Sequence, residues 1–196
     1  MKKRDLELLF ELGTFRYIPR AWRQFLNKDF ANNAEHSFRA SWIAMMIAAQ
    51  EGADTNRVAK MALLHDIGES RAGDVHYTSR MYTKRNEELA FIDIFANTSL
   101  EKEFSALWRE YQERETLESK CAKDADTLDI DIELREQAAR GYDLPPAWDK
   151  MRAVAAKKLY TKTAKKMWKA IQKTNPHDWH SRGRNRFNNG DWKPKK

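Results

Sequence analysis

The sequence predicts an all-α fold organised as a single helical bundle, and three observations lead to this prediction. Apolar residues recur at helical spacings of three and four along most of the chain, and no segment alternates polar and β-branched residues as a strand does. Side chains that cap helices stand before several of these apolar runs. A length of 196 residues suits one domain with an appendage and is short for two full domains.

The first predicted core helix carries a histidine on its buried face. Asn32 or Asn33 is a suitable N-cap for a helix that runs to about Gln50. Its buried side is marked by residues spaced four, three and four apart, namely His36, Ala40, Ile43 and Ile47. We therefore expect His36 to point into the core.

The next predicted helix ends in an adjacent His-Asp pair. Asp54 or Thr55 can cap this helix, and Gly68 supplies a stop. One side of the helix is marked by Val58, Met61, Ala62 and His65. His65 and Asp66 are therefore expected in the last turn of a core helix.

Two helices of structural character follow a polar connection. The first is marked by Leu89, Ile92 and Ala96, and the second by Phe104, Leu107, Trp108 and Tyr111. A longer helix is then predicted from about Glu118 to Arg140, with Asp126 at the margin of its apolar face. Cys121 lies on the apolar side of this helix, where a small core residue is expected rather than a nucleophile.

Charge divides the chain after the long helix, where Gly141 and Pro145-Pro146 mark a boundary. Residues 150–196 hold 15 Lys or Arg against two acidic residues, whereas residues 1–149 hold 21 basic and 27 acidic residues. We therefore predict a main domain over residues 1–149 and a basic C-terminal helix and tail over residues 150–196.

The predicted tail helix has an apolar stripe and a lysine stripe. The apolar stripe consists of Ala153, Ala156, Tyr160, Ala164, Met167 and Ile171, and the lysine stripe of Lys158, Lys162, Lys165, Lys169 and Lys173. We expect the apolar stripe to pack on the main domain and the lysines to face water. Nucleic acid binding through residues 150–196 is the alternative.

Cysteine usage and hydropathy favour a cytoplasmic protein with no membrane partner. The single cysteine excludes an intramolecular disulfide and a Cys-rich zinc site. No apolar run approaches the roughly 20 residues that a membrane-spanning helix needs. Asp5, Glu7 and Glu11 interrupt the segment that would follow the basic start of a secretory signal.

The chemistry is expected from an ordered set of motifs rather than from any one of them. His65-Asp66 alone means little, because His177-Asp178 repeats the pair in the basic tail. The ordered motifs are Glu35-His36, then Leu63-Leu64-His65-Asp66-Ile67-Gly68-Glu69, then Gly73-Asp74, then Asp124-Ala125-Asp126-Thr127-Leu128-Asp129. Imidazole and carboxylate donors together suit one divalent cation such as Mn, Co, Fe, Zn or Mg.

At these residues the chain resembles the HD-domain metal-dependent phosphohydrolases, and within them the branch of small HD hydrolases that contains the bacterial 5′-deoxynucleotidases. The resemblance runs from about Arg16 to Leu134. It implies a single HD-domain helical bundle with four metal ligands, namely His36, His65, Asp66 and Asp126. Because no His lies between His76 and His177, one metal ion is expected rather than two.

The resemblance also implies roles for residues around the metal. Glu69 matches the acidic residue that handles the proton of the attacking water, and Asp74 matches a further acidic position near the substrate. Arg20 and Trp22 match an Arg and a Trp that hold the nucleotide. Bacterial members often have these two residues adjacent, whereas Ala21 separates them here.

The function implied by the resemblance is hydrolysis of nucleoside 5′-monophosphates, and of deoxynucleotides in particular, to a nucleoside and phosphate. One alternative is an HD hydrolase of another nucleotide or oligonucleotide phosphate. Another is a nucleic-acid-binding protein that uses the basic C-terminal helix. The family resemblance is also compatible with a homodimer. His76 is expected to be a polar loop residue, and His177 and His180 surface residues.

Overall fold

The computed structural model describes residues 2–142 and 146–181, and these residues form a bundle of α-helices. No β-strand occurs within these two ranges, which confirms the predicted all-α class. An isolated antiparallel bridge pairs Pro19 with Asn32 and ties the segment before α2 to its N-terminus. The helices of the described ranges are α1 (Lys3–Thr14), α2 (Asn33–Glu51), α3 (Thr55–Leu64), α4 (Glu69–Ala72), α5 (Glu87–Phe95), α6 (Glu101–Glu113), α7 (Leu117–Ala139), α8 (Pro146–Lys157), α9 (Lys162–Ile171) and α10 (Asp178–Ser181).

Helix α2 begins and ends with strong local signals. Asn32, rather than Asn33, is its N-cap, because the Asn32 side chain accepts the N–H of Glu35 and the Glu35 side chain accepts the N–H of Asn32. Gly52 ends the helix in the left-handed conformation with φ of 78°. Asn33 is thereby free to point its amide group into the protein.

The core lies where α2, α3 and α7 pack against one another. Ile47, Met61 and Leu128, one from each of these helices, are fully buried at its centre. Their burial supplies the apolar contact that holds the three helices together. The metal-ligand candidates are carried by these same helices or directly follow them.

Helix α5 is present as predicted, but it buries a different side. Leu89 and Ile92 are about half exposed, at 50% and 51%, whereas Phe91 and Ile94 are buried. Phe91 stacks on Trp108 of α6 with ring centroids 4.9 Å apart. The helix is apolar on both sides, and the aromatic side gains the larger buried area.

Helix α3 ends two residues before Asp66, which was expected in its last turn, and Gly68 has another role than the predicted stop. Leu64 is its last residue, His65 is the C-cap, and a turn leads into α4 at Glu69. Gly68 has an ordinary φ of −58°. A Cβ at this position would lie 2.9 Å from the carbonyl oxygen of Glu87, so the close approach of that backbone requires glycine.

The prediction of one tail helix through Tyr160 is wrong, because the structure has α8 and α9 with a break between them. Asp124 of α7 accepts hydrogen bonds from the N–H groups of Tyr160 and Thr161 and from the Thr161 hydroxyl, each at 2.8 Å. Thr161 also caps α9 by accepting the N–H of Ala164. These bonds replace the intrahelical bonds that a continuous helix would make.

The apolar side of α9 packs on the bundle. Ala164 is fully buried in the main core, and Met167 and Ile171 pack against it. Lys162, Lys165 and Lys169 are exposed on the other side. The division of the chain at residue 149 stays a prediction, and residues 182–196 of the predicted tail lie outside the described residues. Of the helices in the described ranges, none is long and apolar enough to cross a membrane.

Candidate active site

Four of the predicted residues converge on one point of the bundle. His36 of α2, His65 and Asp66 after α3, and Asp126 of α7 each offer one ligand atom, and these atoms all lie within 4.8 Å of one another. The Nε2 atoms of His36 and His65 are 3.2 Å apart. Asp126 Oδ1 lies 3.2 Å from His36 Nε2, and Asp66 Oδ2 lies 3.2 Å from His65 Nε2.

The two imidazoles are oriented through their other nitrogen. His65 Nδ1 donates to the carbonyl oxygen of Ala62 at 2.7 Å, and His36 Nδ1 donates to Asp129 Oδ2 at 2.6 Å. Both Nε2 atoms are therefore directed at the carboxylates. This is the arrangement by which proteins fix the tautomer and ring orientation of metal-binding histidines.

Asp129 belongs to an ion-pair network that sequence reasoning missed. Arg39 of α2 contacts Asp129 through Nε, Glu133 through Nη2 at 2.8 Å and Glu136 through Nη1 at 2.7 Å. The spacing of these residues in the sequence was the available sign of such a network. Asp129, Glu133 and Glu136 share one face of their helix, and Arg39 lies on the same face of α2 as His36, three positions later. Without the structure, nothing linked this acidic face to the histidine.

The cluster fits a single divalent cation. Ligand atoms about 2.1 Å from one ion lie about 3 to 4 Å from one another. The distances from each histidine Nε2 atom to the other and to the two aspartates, 3.2 to 3.6 Å, fall in this range. Two neutral imidazoles and two carboxylates also compensate a divalent charge and form a donor set suited to borderline metals. Lys123 Nζ contacts the outer oxygen of Asp126 at 2.6 Å and leaves Oδ1 toward the cluster.

Electrostatics keep the carboxylates of the cluster ionised. Burial acts to raise the pKa of Asp66 and of Asp126, but His65 beside Asp66 and Lys123 beside Asp126 outweigh it and lower both pKa values. Burial also opposes protonation of His65, yet Asp66 and Asp126 raise its pKa to about 10. The cluster is thus built to hold positive charge.

Glu69 lies beside the cluster at the start of α4 and is buried. Its Oε2 accepts a 2.6 Å hydrogen bond from Asn33 Nδ2, and its Oε1 contacts Arg85 Nη1 at 3.3 Å. Burial and the charges of Asp66 and Asp74 raise the pKa of Glu69 to about 8. A carboxylate with such a pKa is matched to accepting a proton near neutral pH. Asn33 and Arg85 were not predicted.

Arg20 and Asp74 form a second charged group next to the cluster. Arg20 Nη1 lies 2.8 Å from Asp66 Oδ2 and 3.5 Å from Asp74 Oδ2. Asp74 also accepts the backbone N–H of Ala21 at 2.8 Å. The inserted residue between Arg20 and Trp22 therefore has a contact of its own, which ties the segment to the Gly73-Asp74 turn.

Charged residues of this site line one cavity of about 230 Å³, namely Asp66, Asp126, Glu69, Arg20 and Asp74. Trp22 lies in its wall, 4.8 Å edge-to-face from Trp148 of α8 and 6.5 Å from Tyr77 between ring centroids. His76 also lines the cavity, so this loop residue lies closer to the site than its interpretation as a polar loop residue indicated. The remaining wall includes Arg80, Lys123 and Ile130.

Other residues considered in the sequence lie away from this cavity. His177 and His180 are exposed, with Nδ1 and Nε2 3.0 Å apart, as expected for surface residues. Cys121 is fully buried in the core of the bundle. Burial raises the pKa of its thiol to about 12, so Cys121 has the properties of a core residue.

Comparison with known proteins extends this picture. The chain is 28% identical over 137 residues to the 5′-deoxynucleotidase HDDC2 of Danio rerio, an alignment that covers 67% of this chain and 68% of the relative. It is 24% identical over 137 residues to the 5′-deoxynucleotidase HDDC2 of Homo sapiens, covering 67% of each chain.

Solved structures share the fold. A conserved hypothetical protein from Pyrococcus furiosus superposes with a TM-score of 0.68 at 23% identity, covering 86% of this chain and 99% of the other. A predicted metal-dependent phosphohydrolase from Magnetospirillum magnetotacticum superposes with a TM-score of 0.64 at 26% identity, covering 86% of this chain and 91% of the other.

A family model also matches most of the chain. The model described as HD domain aligns with residues 12–175 and so includes the candidate metal ligands, Glu69, Asp74 and the helices that carry them. This chain therefore belongs to the HD domain family, and it is a metal-dependent phosphohydrolase.

Proposed function

We propose that this protein hydrolyses nucleoside 5′-monophosphates, and deoxynucleotides in particular, to a nucleoside and inorganic phosphate. The observation that carries the proposal is one cavity whose wall contains the two aspartates of the candidate metal cluster, a buried carboxylate, a buried arginine and aromatic side chains. Relatives named 5′-deoxynucleotidase, at 24% and 28% identity, support the same substrate class.

In this proposal, His36, His65, Asp66 and Asp126 hold one divalent cation. Such a cation lowers the pKa of a water molecule and offsets negative charge that develops at phosphorus. Glu69, whose pKa is raised to about 8, accepts the proton of the attacking water. Lys123 and Asp129 hold Asp126 and His36 in place through hydrogen bonds of 2.6 Å.

Arg20 binds the phosphate oxygens in this proposal. It is buried, and Asp66 and Asp74 hold its guanidinium group in a fixed place beside the cluster. A guanidinium group offers paired donors that match phosphate geometry. Trp22 and Tyr77 form the wall that receives the base or the sugar, and Asp74 is the acceptor available to a sugar hydroxyl.

Phosphate release from a panel of nucleotides tests the proposal. The metal-stripped protein is assayed alone and after addition of Mn, Co, Mg or Zn. The substrates are ribo- and deoxynucleoside 5′-monophosphates, di- and triphosphates, and 5′-phosphorylated oligonucleotides. We expect metal-dependent release from the monophosphates and its loss in Asp66→Ala. An Asp93→Ala variant, changed at an exposed position of α5, controls for handling. Turnover of only the longer substrates contradicts the monophosphate assignment.

Nucleic acid binding through residues 150–196 is a second candidate function. Lys165 and Lys169 of α9 are exposed, which leaves their charge accessible to a polyanion. We expect binding of single-stranded DNA that weakens with salt and with Lys165→Glu/Lys169→Glu. Equal binding by this double variant contradicts the assignment.

A further inference from the structure

Asn33 makes an unusual use of its amide group. The residue is fully buried in the first turn of α2. Its Nδ2 donates a 2.6 Å hydrogen bond to Oε2 of Glu69, 36 residues along the chain. Its Oδ1 is also buried, but no described protein group donates a hydrogen bond to it. A buried acceptor without a donor costs free energy, so the one favourable hydrogen bond of this amide among the described residues is the bond to Glu69.

Glu69 depends on Asn33 more than on its other partner. Arg85 reaches Oε1 at the longer distance of 3.3 Å, and it also donates to the carbonyl oxygen of Gly73 at 2.5 Å and pairs with Glu87. Arg85 therefore has several structural partners. The side chain of Asn33 has Glu69 as its one hydrogen-bond partner among the described residues.

We propose that Asn33 is a positioning residue that fixes the Glu69 carboxylate for the reaction. The inference rests on the proposed function, in which Glu69 accepts the proton of the attacking water. Asn33 does not line the cavity, so it acts through Glu69 and not on the substrate.

The physical reason is the length of the glutamate side chain. An unrestrained glutamate samples several rotamers, whereas proton transfer needs a donor-acceptor distance of about 2.6 to 3.2 Å. The bond to Oε2 removes this freedom at one oxygen. Since each carboxylate oxygen has two acceptor sites, and Arg85 contacts Oε1 only at 3.3 Å, Glu69 keeps acceptor capacity for a proton.

The test replaces Asn33 by leucine in the full chain and measures activity, melting temperature and bound metal. We expect Asn33→Leu to lower kcat about 10- to 100-fold, because a misplaced catalytic group has a cost of this order. KM for the nucleotide should stay within about twofold, and the metal content should not change. The melting temperature should fall in Asn33→Leu, because the buried Oε2 atom of Glu69 loses its donor, but the variant should remain folded at the assay temperature.

Ser37→Ala is the matched control. Ser37 lies one turn further along α2, is buried, and has an Oγ atom without a hydrogen-bond partner, but it does not contact Glu69. This substitution should preserve the melting temperature and leave kcat unchanged. A parallel Asn33→Ala variant removes the amide without adding apolar volume, and the same loss of kcat with unchanged KM is expected.

Several outcomes overturn the inference. Wild-type kcat in Asn33→Leu or Asn33→Ala does so, and so does a loss of bound metal that accompanies the loss of kcat in both variants, since Asn33 then supports the metal cluster and not Glu69 alone. In a Glu69→Gln background, Asn33→Leu should lower kcat no further. Full activity of Glu69→Gln overturns the role of Glu69 together with this inference. Loss in Glu69→Gln but not in the Asn33 variants overturns this inference alone, and an inactive wild type contradicts the proposed function as well.

Discussion

The orientation of His36 is determined by Asp129, a residue that is not itself a candidate metal ligand. Its ring is held by Asp129 at 2.6 Å, and Arg39 in turn holds Asp129 between α2 and α7. The carboxylate makes Nδ1 the protonated nitrogen and leaves Nε2 to serve as a ligand. Burial acts to raise the pKa of Asp129, but His36 and Arg39 lower it, so that it stays ionised.

Replacing Asp129 by asparagine should weaken metal binding. The amide keeps the size of the side chain but loses the charge that orients and polarises the His36 ring. We expect the affinity for the metal to fall about 10- to 100-fold. Calorimetric titration of the metal-stripped protein with Mn measures the change.

Glu136→Gln provides the matched control for Asp129→Asn. Glu136 contacts the same arginine at 2.7 Å, but no contact joins it to His36. Its substitution should leave the metal affinity within about twofold of the wild type, since distant or exposed charges contribute little. An equal loss of affinity in both variants would show that the charge of the whole network matters and not the bond to His36.

Residues within short motifs could be predicted from the sequence, and their partners could not. His36, His65, Asp66 and Asp126 stand in an ordered pattern, and the structure brings them together. Asn33 and Arg85 carry no motif, and their bonds to Glu69 cross 36 and 16 positions of the chain. Such a pair depends on how helices and loops are arranged in three dimensions, and helical periodicity gives no information about that arrangement.

At the scale of helices, the joint between α7 and α9 fixes the C-terminal part of the described chain. Asp124 is almost fully buried and accepts three hydrogen bonds at the break before α9. Glu51 at the end of α2 adds a 2.7 Å bond from the N–H of Thr163. The start of α9 is therefore held by two different helices of the core.

Asp124→Ala should destabilise the protein more than a surface substitution does. It leaves the N–H groups of Tyr160 and Thr161 without their acceptor in a buried place, which we expect to lower the free energy of unfolding by about 2 to 4 kcal/mol. Urea unfolding followed by circular dichroism measures the change. Asp93→Ala, at an exposed position of α5, should change it by less than about 0.5 kcal/mol, and a similarly small effect of Asp124→Ala would contradict this account of the joint.

Helix boundaries followed from the sequence where the capping was local. Asn32 and Asp54 each cap the helix that follows them through their own side chains. The break before α9 escaped prediction because the acceptor that permits it, Asp124, lies 36 and 37 positions away. The predicted apolar stripe was wrong at Tyr160, which is exposed while Leu159 is buried, because the stripe was continued across that break.

Over the whole molecule, a bound cation and the fold should depend on each other. Without metal, the site keeps a proton on His65, whose pKa is raised to about 10. Burial and neighbouring charge raise the pKa of Glu69 to about 8. A cation must displace the His65 proton in order to bind. Metal affinity should therefore rise with pH below about 10.

The same pKa values determine how the stability of the metal-free protein depends on pH. The pKa of His65 is higher in the folded protein than its unfolded value of about 6.5. Protonation of His65 therefore stabilises the fold fully below about pH 6.5, and this contribution is lost as the pH rises toward about 10. The raised Glu69 pKa acts in the same direction, because ionisation of a buried carboxylate destabilises the fold as the pH rises through about 8. We expect the difference in melting temperature between Mn-loaded and EDTA-treated protein to widen from about pH 6 to about pH 8. A narrowing difference contradicts this linkage.

The two aspartates of α7 that stand two positions apart have a practical meaning for protein engineering. Asp124 secures the start of α9, and Asp126 faces the metal cluster, so one stretch of helix serves both. A chain cut after residue 149 would leave Asp124 without its partners and would uncover the core beside Leu159 and Ala164. A shortened version intended for crystallisation or assay should therefore keep the residues through Ile171, and trimming should begin beyond that helix.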